Sequence, residues 1–109
     1  MKIRMGLAIT CALLFLALQP FCRSQATGQI PYIAKCAGCH GMKGLADTQA
    51  GKTTNARPFN DPTVVAMSDT TLLGIIENGS GKMPAYKSKI SDDEANKMIQ
   101  YIHLLQSAK

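Results

Sequence analysis

The chain has no tryptophan and only 6% aromatic residues, so few large side chains are on hand to fill a core. No stretch alternates apolar and polar residues, which excludes half-buried strands and leaves helices as the regular element the pattern supports. Basic runs with interleaved aromatics are missing too, so a formal net charge of +5 does not argue for nucleic acid. Internal repeats and low-complexity tracts are absent. After Leu18 no second long apolar run follows, and a single small domain is expected within the 109 residues.

What is there begins with "LAITCALLFLAL", Leu7 to Leu18, behind basic Lys2 and Arg4 and ahead of the small-residue stretch "SQA" at Ser24–Ala26. Read as a membrane anchor, the run is short: it would span about 18 Å at ~1.5 Å per residue, against a ~30 Å hydrocarbon core. The pattern predicts a secretory signal peptide over residues 1–26, cut after Ala26, and hence an exported, periplasmic protein. A lipoprotein anchor at Cys22 is opposed by bulky Phe21, where such a site wants a small residue. Cleavage removes Cys11 and Cys22, leaving Cys36 and Cys39. Lys+Arg falls from 12 to 9 against 7 acids, a net charge of +2. The remaining domain, 27–109, is small enough that a disulfide, a metal or a cofactor is expected to complete its core.

The elements expected of it are three to five short helices joined by long loops, an all-α architecture. "IPYIAKCAGC" begins a short helix with Pro31 in its first turn. Residues 40–62 are rich in Gly, Thr, Asn and Pro, lack any period, and read as loop. Asp61 and Pro62 open a brief helix, and "SDTTLLGIIEN" opens another that stops at Gly79. The strongest helix is last: Ser91 and Glu94 form a capping box, and Ala95, Met98, Ile99, Ile102 and Leu105 recur at helical spacing.

The pentad "CAGCH", Cys36 to His40, carries the chemistry. A zinc site needs four ligands, yet no other Cys follows and His103 is the one remaining His. A dithiol oxidoreductase would place the pair after a strand, and none precedes Cys36. Covalent haem attachment uses every residue of the pentad: both thiols add to haem vinyl groups and His40 is carried to the iron as an axial ligand. Among the methionines that survive cleavage, Met42 is too near His40, Met98 lies on the apolar stripe of the last helix, and Met67 closes an apolar run. Met83 stands in a polar, Gly-rich loop and is followed by stiffening Pro84, which makes it the expected sixth ligand. His103 is the alternative.

"CAGCHG", then "GKMPAY", then "SDDEANKMIQYIHLL" stand in an order that resembles the class I c-type cytochromes, in particular the small bacterial monohaem members. The resemblance spans essentially all of 27–109. It implies a cytochrome c fold wrapped around one haem c, with Cys36 and Cys39 as thioether attachments and His40 and Met83 as axial ligands. It implies further that Gly28 and Tyr32 pack on the last helix around Met98 and Tyr101. The family's Pro in the loop after the pentad, whose carbonyl receives the second histidine nitrogen, is absent between His40 and Arg57, so that acceptor is unassigned. Arg57, Asn55, Lys52 and Tyr86 are the residues that would meet the haem propionates.

With both axial positions filled, one-electron transfer is expected and not substrate chemistry. The expected role is a monomeric periplasmic carrier between a membrane quinol-oxidising complex and a terminal oxidase or reductase. Lys82, Lys87 and Lys89 would steer it to an acidic partner. Two alternatives stay open: an electron-transfer subunit of a specific dehydrogenase or oxidase, and a haem enzyme or sensor with a displaceable sixth ligand.

Overall fold

Helix α6 (Asp92–Ser107) begins where the capping box is predicted. The Ser91 hydroxyl accepts from the Glu94 amide at 3.2 Å, and the Glu94 carboxylate accepts from the Ser91 amide at 3.2 Å. Three acids in its first turn suit the positive end of the helix dipole. Its stripe of Ala95, Met98, Ile99 and Ile102 is buried.

A computed structural model describes residues 22–108, with side chains from residue 27 onward. The basic head and apolar run of the expected signal peptide lie outside the described residues. Ahead of α6 come α1 (Cys22–Lys35), α2 (Ala37–His40), α3 (Gln49–Thr54), α4 (Pro62–Val65) and α5 (Asp69–Asn78). No strand occurs among the described residues; Ser80 and Met83 form one isolated antiparallel bridge. No described helix is long and apolar enough to cross a membrane.

The all-α expectation holds, with six helical segments among the described residues where three to five were expected. The extra segments come from the break at Cys36, which divides the first helix into α1 and α2, and from α3. The first helix does not begin near Pro31; it starts by Cys22 and carries Pro31 in its last turns. Its packing on α6 offsets the backbone hydrogen bond that the proline removes. Within 40–62, expected to be loop throughout, α3 forms because the Thr48 hydroxyl caps the Gly51 amide at 2.9 Å.

The α1–α6 contact is the most extensive between helices. At Gly28 the backbones approach so closely that a Cβ would fall on the Lys97 carbonyl, so only glycine serves there. Tyr32 fills the next turn: it is 0% exposed, its ring lies 5.2 Å from that of Tyr101, and its hydroxyl donates to the Gly41 carbonyl at 2.6 Å. The glycine and aromatic pair pack on α6 as the resemblance implies. Helix α5, capped by Ser68, adds Leu72 and Ile76 to the same core.

Candidate cofactor site

The helical path breaks at Cys36, whose φ of −117° and ψ of −37° separate α1 from the single turn of α2. Within that turn the Cys39 and His40 amides both donate to the Cys36 carbonyl, at 3.2 and 2.9 Å. The turn is held from outside by the following loop. Thr48 Oγ1 lies 2.8 Å from the Gly38 carbonyl and 3.0 Å from that of Cys39, and the Ala46 amide donates to the His40 carbonyl at 2.8 Å.

The His40 ring stacks on Phe59, with centroids 4.7 Å apart and planes 22° off parallel. Phe59 is fixed through its backbone, donating to the Gly44 carbonyl at 2.7 Å and accepting from the Gln106 side chain at 3.2 Å. Burial lowers the His40 pKa, and the Arg57 backbone opposes this only in part. The ring is therefore a neutral imidazole, the form a metal takes. Its Nδ1 is buried and has no hydrogen-bond partner, the Arg57 backbone being the one that acts on the ring. The carbonyl side of Arg57–Pro58 is thus the backbone that faces the histidine for which no acceptor was assigned.

Met83 is shaped by its own loop. Ser80 and Met83 exchange backbone hydrogen bonds of 3.1 and 2.9 Å, and the Tyr86 and Lys87 amides donate to Ile76 and Glu77 at the end of α5. Two side chains reach outward from this loop: Lys82 Nζ to the Thr53 carbonyl at 3.2 Å and the Tyr86 hydroxyl to the Lys35 carbonyl at 3.0 Å.

Both segments border one cavity of about 650 Å³, within the ~300–1,000 Å³ range of cofactor pockets. Cys36, Cys39, His40 and Met83 all line it, against an apolar wall that includes Phe59, Leu72, Ile76 and Ile102. The two thiols are unpaired. Burial pushes the Cys36 thiol up to about 11, the reverse of what a reactive redox thiolate requires. Among the described residues no cluster of His, Cys, Asp and Glu could hold a metal by itself. The residues present fit a large planar apolar group attached through two thiols better than either rival chemistry.

Met42 is 57% exposed and does not border the cavity. Met67 and Met98 border it as Met83 does: Met98 is 1% exposed with its sulfur 4.0 Å from that of Cys36, and Met67, like Met83, is partly buried against the core cluster. His103 is not on the cavity: its Nε2 meets Asp69 at 2.6 Å and its Nδ1 meets Gln106 at 2.9 Å. Of the four residues expected at the propionates, Asn55, Arg57 and Tyr86 line the cavity and Lys52 does not. Phe59 is the site residue that sequence reasoning left without a role. As the one aromatic between Tyr32 and Tyr86, it carried a usable signal.

A helical domain whose cavity gathers a Cys-x-x-Cys-His turn and a loop methionine is the architecture of a c-type cytochrome. Residues 23–102 match the family described as cytochrome C oxidase, cbb3-type, subunit III, and the chain belongs to that cytochrome family. It is 30% identical to cytochrome c6 of Leptolyngbya boryana over 80 residues, which cover 71% of this chain and 87% of that protein. The solved structure of the KustC0563 c-type cytochrome superposes with a TM-score of 0.62 at 26% identity, covering 73% of this chain and 94% of that one. The protein is accordingly an electron carrier of the cytochrome c fold that binds haem c covalently through Cys36 and Cys39.

Proposed function

We propose that His40 and Met83 are the axial ligands, and that the protein is exported, loses residues 1–26 as a signal peptide, and shuttles single electrons between respiratory complexes. The observation that carries the reading is that His40 and Met83 border the same cavity as both thiols, Met83 alone of the three cavity methionines coming from a polar, Gly-rich loop, while the rival nitrogen of His103 is engaged by Asp69. Bound haem supplies reversible one-electron chemistry at its iron. The chain's part is to hold a neutral imidazole against Phe59, to present the Met83 sulfur from a hydrogen-bonded loop, and to line the cavity with side chains that exclude water.

A methionine ligand and a dry site both favour the reduced state. The expected result of a potentiometric titration is a positive midpoint that falls in Met83→Ala; a strongly negative midpoint in the unmodified protein would defeat the assignment.

Lys35, Arg57 and Lys82 line the cavity and no acidic residue does, which favours docking to an acidic partner at this rim. Lys87 and Lys89 extend the basic rim, Lys89 lying over the Tyr86 ring at 5.3 Å. Reduction by such a partner should slow as salt rises, and rates flat from low to high salt would remove the steering idea.

The family's description favours a second reading, in which the protein is the bound haem subunit of an oxidase. Co-purification with a stoichiometric membrane complex from native cells would favour that reading over free shuttling.

A further inference from the structure

We propose that Tyr86 is the clasp of the Met83 loop, a positioning residue whose hydroxyl, bonded to the Lys35 carbonyl, keeps the sixth ligand closed over the site. The inference rests on the reading of Met83 above. It starts from the break at Cys36. Because the Cys39 amide turns to the Cys36 carbonyl, the carbonyl of Lys35 at the end of α1 has no partner within the helix. Tyr86, 51 residues away in sequence, donates to it at 3.0 Å.

The rest of Tyr86 is immobilised. Its amide donates to Ile76 at the end of α5 at 3.0 Å, and its carbonyl accepts from Lys89 and Ile90 at 2.8 and 3.1 Å. The residue therefore ties three parts of the site together: the end of α5, the Met83 loop and the junction that bears Cys36. The Ser80–Met83 hydrogen bonds are internal to the loop, so they shape it without attaching it to the thiol-bearing turn. Lys82 does attach it elsewhere, to Thr53, but through an exposed and flexible side chain. Removing the Tyr86 hydroxyl should leave the loop its shape and raise the fraction of time it stands open.

The test uses the haem-loaded full chain in the ferric state, with imidazole as a competing ligand, in unmodified protein, Met83→Ala and Tyr86→Phe. Phenylalanine keeps the ring that lines the cavity and deletes only the hydrogen bond. The expected order is weakest imidazole binding in the unmodified protein and tightest in Met83→Ala. Tyr86→Phe should bind about fivefold more tightly than the unmodified protein, the equivalent of ~1 kcal/mol for one net hydrogen bond. Tyr86→Phe indistinguishable from the unmodified protein, with Met83→Ala tighter, overturns the clasp alone. Equal binding by Met83→Ala and the unmodified protein overturns the ligand assignment and the clasp with it. Should Tyr86→Phe fail to mature, proton NMR of the unmodified ferrous protein decides. A Tyr86 hydroxyl proton protected from exchange supports the clasp, and one exchanging freely with water overturns it.

Discussion

Where α1 meets α6, Tyr32, Met98 and Ile99 are 0%, 1% and 0% exposed; around the cavity, Met67, Met83 and Tyr86 are only partly buried. The first region is a seam of interlocking side chains closed by a glycine, complete from the chain alone. The second is a wall of apolar residues and loops facing a space of about 650 Å³, held by individual hydrogen bonds from Ser80, Lys82 and Tyr86. So small a chain divides its work between the two. The seam supplies rigidity, and the loops carry the chemistry on a cofactor that completes the core.

Gly28→Ala should be the most damaging substitution in the seam. The added methyl would fall on the Lys97 carbonyl, with the Tyr101 Cβ 3.1 Å away, so the helices themselves must separate. We expect a loss of about 3 kcal/mol or more in denaturant unfolding of the haem-loaded protein, and poor accumulation in cells. Met98→Ala strikes both regions, because Met98 is core to the seam and also borders the cavity beside Cys36. It should cost about 2–4 kcal/mol and also shift the midpoint potential. Ser91→Ala sharpens the contrast: removing one half of the capping box should cost about 1 kcal/mol and leave the potential unchanged.

The smallest effect concerns the pair that joins α5 to α6. The hydrogen bond to Asp69, then that to Gln106, raises the His103 pKa above its ordinary value of 6.5. Stability from the charged pair is fully present below about pH 6.5 and is lost as pH rises through the raised folded value. Both side chains are more than a third exposed, at 38% and 55%, so the loss should be ~0.5 kcal/mol or less and shrink in salt. Unfolding curves of the unmodified protein and His103→Gln, compared across this range at low salt, read it directly; the variant should lack the step.

Much of the seam was legible because its signals are local. The Ser91–Glu94 box, the 3-and-4 spacing of Ala95, Met98, Ile99 and Ile102, and the Ser68 cap each announce a helix in a few residues. The pentad is equally compact. Helix α3 was not legible, since it has no apolar period: of its residues only Gly51 is buried, where a Cβ would strike the Cys39 carbonyl. It exists to brace the pentad, and that need is tertiary. The same holds for α1, whose extent ahead of Pro31 is set by its partner α6, and for the partners of Lys82 and Tyr86. Those partners are backbone carbonyls distant in sequence, and no side-chain pattern encodes them.

The most direct test of the closed His40–Met83 site is the near-infrared absorption of the ferric, haem-loaded protein. The expected spectrum carries a weak band from methionine sulfur bonded to ferric iron, present in the unmodified protein, retained in His103→Gln and lost in Met83→Ala. A c-type spectrum without that band in the unmodified protein, or a band that survives Met83→Ala, would contradict it.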